Sequence, residues 1–259
     1  MPYADLHVHT TRSDGSLELA AVPAAADRAD VAVVAVTDHD RLQPFDGPVS
    51  QRDGVTIVNG IELRVKTDAG QRLDLLGYGL ESTTALEALV DRIQTNRKER
   101  GQAIVDNVED RLGIDLDVTV TDGFGRPHVA RAIDAHPDAE YDYEEAFEHL
   151  IGGDGPCFVA RDVPSFDRGR HVLSTAGELV SLAHPLRYPD PEHALELAAE
   201  LDAIELEYPY GHDVDLEPVR NAIERHDLLT TGGSDAHERT LGLAGLSRES
   251  FDLLEFQFA

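Results

Sequence analysis

The chain has 259 residues, 50 acidic against 22 basic, for a formal charge of -28. The length suits one α/β domain with room for an insertion. Such an acidic surface repels nucleic acid at ordinary salt, while a hydrophobic share of 41% excludes a disordered acidic tail.

No run of about 18 apolar residues is present, and the N-terminus lacks the basic-then-apolar pattern of a secretion signal. A cytoplasmic protein with no membrane association is therefore expected. The single cysteine, Cys157, excludes an intramolecular disulfide and reads as a small buried hydrophobe without a catalytic role. The lysines are Lys66 and Lys98 alone. Acid enrichment with lysine depletion reads as adaptation to strong salt and carries little information about substrate.

Along the chain, short apolar runs at 4–8, 31–36, 55–61, 73–76, 179–183, 203–206 and 228–231 read as strands, and most lead directly into polar residues. Residues 17–29, 191–201 and 216–226 place apolar side chains at helical spacing. Alternating strand and helix predicts parallel strands with crossover helices. Polar residues at nearly every strand end favour a barrel over an open sheet, because barrel strand ends converge on one mouth.

The rhythm breaks between about residues 82 and 170. There residues 84–112 read as a long charged helix, 123–127 as a turn, 129–135 and 143–151 as further helices, and 152–156 as a loop. The expected organisation is a barrel from 1–81 and 171–259, with a mainly helical insertion, 82–170, over its mouth. No internal repeat is expected.

His7 and His9 lie two apart on the first strand, so both imidazoles emerge on one face and can serve one metal. Asp14 supplies a carboxylate from the adjoining loop, and His39 stands between Asp38 and Asp40 at a strand end. Asp38 is expected to orient a ligand histidine without touching metal, and Asp40 to cap a helix. Glu62 ends a strand after Asn59-Gly60-Ile61, and its two oxygens can bridge two cations. His184 follows an apolar run directly, and Asp235 and His237 stand two apart after Gly232-Gly233. Each element is modest alone; their occurrence in this order is a strong signal of a metal centre.

With these residues in view, the chain resembles the polymerase and histidinol phosphatase (PHP) family of metal-dependent phosphoesterases. The likeness covers nearly the whole chain and is carried by DLHVHT, SDG, TDHD, GIE, LLGYG, LAHP and GSDAH. Residues 125–131 and 182–188 resemble the branch that includes nucleoside 3',5'-bisphosphate phosphatases and 5'-to-3' exoribonucleases, and the composition resembles that of proteins from salt-loving archaea.

The resemblance implies a distorted (β/α)7 barrel with three divalent metals, manganese, zinc or iron. One metal would take His7, His9, Glu62 and Asp235; a second Glu62, Asp74 and His184; a third Asp14, His39 and His237. Asp74 departs from the pattern, since relatives commonly carry histidine before the LLGY segment.

The implied nucleophile is metal-activated water, held by these ligands, so no amino-acid nucleophile is needed. Arg126, His128 and Arg187 are the expected substrate-phosphate contacts, whereas Arg97 and Arg100 read as solvated helix-face charges. The expected substrate is a small phosphorylated nucleotide or short oligonucleotide. Small nucleotides are favoured, because the absence of tryptophan and the few cations ill suit a polymer groove. A 5'-to-3' exonuclease, a histidinol phosphate phosphatase and a non-catalytic metal-binding regulatory module stand as alternatives. No protein partner is expected.

Overall fold

The seven apolar runs and one strand outside them, 49–52, assemble into one eight-stranded sheet in the computed structural model, which describes residues 1–121 and 123–254. Its strands are β1 (Ala4–Val8), β2 (Val33–Val36), β3 (Val49–Arg52), β4 (Val55–Lys66), β5 (Arg72–Tyr78), β6 (Leu179–Leu182), β7 (Ala203–Glu207) and β8 (Leu229–Gly232). The α-helices among the described residues are α1 (Val22–Arg28), α2 (Thr84–Leu112), α3 (Arg126–Ala135), α4 (Tyr143–Ala146), α5 (Phe166–Ala176), α6 (Pro191–Leu197), α7 (Glu217–His226) and α8 (Arg248–Asp252). Two units result, Met1–Val90 with Val163–Ala259, and Asp91–Asp162.

In the first unit the sheet order is β1-β2-β4-β5-β6-β7-β8, with β3 paired to β4 as a hairpin strand. Strands β1, β2 and β6 are buried along their whole length, and β2, buried on both faces, accordingly reads as a continuous apolar run rather than an alternating one. Val33 and Ala35 pack on one face with Leu6, Val58 and Tyr78. Val34 and Val36 pack on the other with Val22, Ala25 and Ala26 of α1.

Strand β5 departs from the parallel expectation, being antiparallel to both β4 and β6. The connection from β4 to β5 explains the reversal. Only residues 67–71 intervene, with Gly70 at φ +87°, and so short a link can close a hairpin but cannot carry a parallel crossover.

The long β4 changes partners midway, with Thr56 to Asn59 beside β2 and Gly60 to Lys66 beside β5. At the change-over, a Cβ on Gly60 would stand 2.9 Å from the Thr37 methyl and 3.0 Å from the Gly77 carbonyl oxygen. A side chain does not fit there.

The sheet curls until the segment after β8 meets β1. His9 N–H donates to the Ala236 carbonyl at 3.0 Å, and Tyr3 N–H to that of Leu246 at 2.8 Å. This is an α/β fold with a curled sheet, the coarse architecture expected.

The second unit is helical among its described residues. Ile104, Val105 and Val108 of α2 pack with Val129, Ala130 and Ile133 of α3 and with Leu150, Ile151 and Cys157. Cys157 is buried, as expected, and burial pushes its thiol pKa up. Helix α3 starts at Arg126, inside the stretch expected to be a turn, because Pro127 falls in the first helical turn, where its missing N–H costs nothing. Arg100 is not simply solvated: its Nε donates to the Val159 carbonyl at 2.7 Å.

Candidate metal centre

Strand β1 presents His7 and His9 together, both with no exposed surface. The turn after β8 can approach them because position 233 is glycine; a Cβ there would lie 2.3 Å from the His7 backbone nitrogen. That approach carries Asp235 to 3.5 Å from His7 Nε2 and 3.2 Å from His9 Nε2. Glu62, from the middle of β4, lies 3.5 and 3.3 Å from the same two nitrogens. Asp235 and His184 adopt left-handed backbone conformations, with φ of 48° and 29°. Such strain costs on the order of 1–3 kcal/mol per residue and persists where the surroundings dictate it. Here the His184 N–H is fastened to Glu205 Oε2 at 2.7 Å, and Asp235 Oδ2 accepts from Tyr208 at 2.8 Å and Arg187 at 3.1 Å.

His7, His9, Glu62 and Asp235 offer donor atoms all within 4.8 Å of one another. His7 Nε2 and both nitrogens of His9 are buried without a hydrogen-bond partner among the described residues. Each such orphan would cost about 1–3 kcal/mol, and their convergence fits a cation. The other side of His7 agrees: its Nδ1 pairs with buried Glu205 Oε1 at 2.9 Å, so Nδ1 carries the proton and Nε2 is left as a lone-pair donor.

A second group joins His9, Asp14, His39 and His237. Asp14 Oδ1 is 3.5 Å from His237 Nε2, and Asp14 Oδ2 is 3.6 Å from His39 Nε2. Glu62 Oε2 reaches His39 Nδ1 at 2.8 Å, so Glu62 lies between the two groups. Imidazole with carboxylate is a suitable donor set for a divalent transition metal at both.

The third group, Glu62, Asp74 and His184, is equally close in space, yet its donors are engaged. Arg64 grips Asp74 with Nε on Oδ1 and Nη2 on Oδ2, both at 2.7 Å, and His184 Nε2 lies 3.0 Å from Glu62 Oε1. A metal at this position does not fit the side chains as they stand.

The charges in the centre are mutually stabilising. Burial would drive His7 neutral, but Glu205 and Glu62 overcome it and hold the imidazole well above its ordinary pKa. Burial likewise opposes charge on His9, and Asp235 and Glu62 nonetheless lift it to about 9. The carboxyls run the other way. Burial would raise Glu62, Asp235 and Asp14, yet the neighbouring histidines hold all three well below the usual carboxylate range. The cluster thus demands positive charge, from protons or from metals that displace them.

Asp38 holds the loop that carries Asp14: it accepts from Thr10 N–H and Oγ at 2.7 Å, Ser13 Oγ at 2.6 Å and Gln43 Nε2 at 2.9 Å. Asp5 performs the same service for the Gly233 turn, accepting from the Ser234 and Gly242 N–H groups at 2.9 and 2.7 Å. Asp40 does not cap a helix; its carboxylate accepts from the Arg64 N–H at 3.2 Å.

Arg187 stands at the centre beside Asp235. Arg126 and His128 are engaged within the helical unit, Arg126 over Phe147 and Phe158 and donating to Ile151, His128 stacked on Phe124. Glu205, Tyr208 and Arg64 went unnoticed in the sequence. Glu205 had a signal, as a lone acid in the strand-like run 203–206, whereas Arg64 and Tyr208 had none.

A cavity of about 280 Å³ opens over the centre, lined by His39, Glu62, His184, Asp235 and His237 together with Arg64, Arg72 and Arg187. Three guanidinium groups thus line a place where an anionic group can meet the candidate ligands.

No protein-family model matches the chain. A phosphoribosyl 1,2-cyclic phosphate 1,2-diphosphodiesterase from Eggerthella lenta is 29% identical over 90% of this chain and 93% of its own. A 5'-3' exoribonuclease from Haemophilus influenzae is 28% identical over 71% and 69%. A 3',5'-nucleoside bisphosphate phosphatase from Chromobacterium violaceum is 26% identical over 92% and 88%.

Among solved structures, a metal-dependent phosphoesterase structure from Bifidobacterium adolescentis shares the fold, with a TM-score of 0.73 at 21% identity, covering 97% of this chain and 94% of that one. An amidohydrolase from Chromobacterium violaceum with bound sulfate and no metal gives 0.71 at 23% identity, covering 98% and 96%. The relatives and the shared fold support the resemblance to PHP-family metal-dependent phosphoesterases, and with the ligand cluster they make this chain a hydrolase of phosphoester bonds.

Proposed function

We propose that the chain hydrolyses a phosphomonoester of a small nucleotide, of the nucleoside 3',5'-bisphosphate type, with metal-activated water as the nucleophile. The observation that carries this reading is the convergence of orphaned buried nitrogens of His7 and His9 on Glu62 under a pocket lined by Arg64, Arg72 and Arg187. Bound divalent cations, manganese, zinc or iron, supply Lewis acidity there, lowering the pKa of water toward about 7 and neutralising phosphoryl oxygens.

The protein's part is positioning. Glu205 fixes the proton of His7 on Nδ1, and Asp38 and Asp5 hold the two loops that deliver Asp14 and Asp235. Tyr208 and Arg187 occupy Asp235 Oδ2, leaving Oδ1 toward His7 and His9. Arg187 is about half exposed and free on its outer side to turn a guanidinium face to a phosphate. Arg126 and His128 are proposed as further phosphate contacts on the motif likeness alone. A pocket of this volume suits a small anionic substrate.

A 5'-to-3' exonuclease acting on short RNA or single-stranded DNA is the second reading, favoured by the Haemophilus influenzae relative. The test is phosphate or nucleotide release in molar potassium chloride with added manganese. Its substrates are adenosine 3',5'-bisphosphate, a short 5'-phosphorylated RNA, histidinol phosphate and phosphoribosyl 1,2-cyclic phosphate. Fastest turnover of the bisphosphate is expected. Faster turnover of another substrate replaces the specificity, and no turnover of any by fully metal-loaded protein leaves a regulatory metal-binding module.

A further inference from the structure

The Arg64–Asp74 pair occupies the place where the family resemblance calls for a metal site. Arg64 lies two residues beyond Glu62 on β4, and Asp74 is its cross-strand partner on β5, so the pair is built into the sheet. Asp74 is 2% exposed, and both of its oxygens accept from one guanidinium at 2.7 Å. This two-pronged geometry is the strongest form of the carboxylate–guanidinium bond. To ligate a metal, Asp74 must break that fork and leave a half-buried guanidinium, which cannot shed its proton, next to a divalent cation.

His184 and Glu62 are no easier to recruit. Their facing atoms lie 3.0 Å apart, and Glu62 Oε2 is turned toward His7, His9 and His39. Without Asp74 the third group retains two protein donors, fewer than the three a catalytic zinc-type site uses.

We propose that this protein binds two metals, and that Arg64 supplies the cation at the third position. Arg64 Nη1 has no hydrogen-bond partner among the described residues, and the side chain lines the cavity with His184 and Asp235. It is placed to donate to a substrate phosphoryl oxygen from the side opposite Asp74. The chain thereby keeps three positive centres around the phosphate while needing metal at only two. The phosphate contact rests on the phosphoesterase reading; the metal count does not.

The experiment is the metal content of manganese-saturated protein, by mass spectrometry after gel filtration, with titration calorimetry as a second count. Two manganese ions per chain are expected for the wild type, and three would overturn the proposal without any variant being made. Arg64→Ala frees Asp74 and is expected to bind a third ion; a count unchanged at two would show that the pair does not exclude it.

Arg64→Leu/Asp74→Leu removes the cation and the freed ligand together, an exchange of a buried ion pair for apolar side chains that folds tolerate. That double variant should still bind two ions. Its affinity for inorganic phosphate should fall by about tenfold or more, the loss of one charge-assisted hydrogen bond. Unchanged phosphate affinity would remove Arg64 from the substrate site. Neither readout requires turnover, so failure of the substrate assays and failure of this inference are distinguishable.

Discussion

The two ends of the ligand cluster are built from the same residue types and behave differently. Beside Glu62 and Asp235, buried ring nitrogens of His7 and His9 converge with no hydrogen-bond partner among the described residues. Around Asp74, the same burial is accompanied by a guanidinium that satisfies both oxygens. The lesson is that proximity of His, Asp and Glu side chains does not make a metal site; what matters is whether their lone pairs remain uncommitted. A carboxylate already paired to arginine presents little net charge to a metal, whereas an imidazole with Nδ1 held by Glu205 presents Nε2 without competition.

Three substitutions bear on this contrast. Asp235→Asn is expected to have the largest effect, since it halves the ligating capacity of a residue shared by His7 and His9. Turnover should drop to background, and manganese content should fall by about one ion, with the circular dichroism spectrum retained. Wild-type rates in that variant would show that the ligand assignment is wrong.

Glu205→Gln should follow. Loss of the carboxylate that orients a ligand histidine typically costs 10–100-fold in metal affinity or activity, and calorimetric metal affinity is the direct measure. An effect smaller than about threefold would reduce Glu205 to packing.

His184→Asn should be the mildest. It removes the hydrogen bond to Glu62 Oε1, worth about tenfold in kcat, while the bound metal count stays the same. A lost metal ion would mean that the third group is a true site.

The candidate metal ligands stood out because they sit in short motifs at strand ends, where apolar runs stop and a polar residue has no ordinary reason to follow. His7-Val8-His9 and Asp235-Ala236-His237 even state their shared face through the spacing of two. Helix α2 was equally plain, since 29 residues without proline, and with charged positions throughout, admit little else. Less was visible where the meaning of a residue depends on a partner far along the chain. Glu205 orients His7 across 198 positions, and Asp5 holds Ser234 across 229; in sequence each is merely an acid within an apolar run.

Local chemistry thus specified the strands other than β3, the helices other than α5 and α8, and most of the candidate ligands, because hydrophobic period and strand-end polarity are properties of neighbours in sequence. The reversal of β5 was latent in the short 67–71 link, but its consequence was not. Only pairing β4 to β5 in the observed register sets Arg64 opposite Asp74 and converts a presumed ligand into a salt-bridge partner. The third position of the site was therefore decided by the pairing of β4 with β5: the short link fixes the hairpin register, and only that register brings two side chains ten positions apart into a salt bridge.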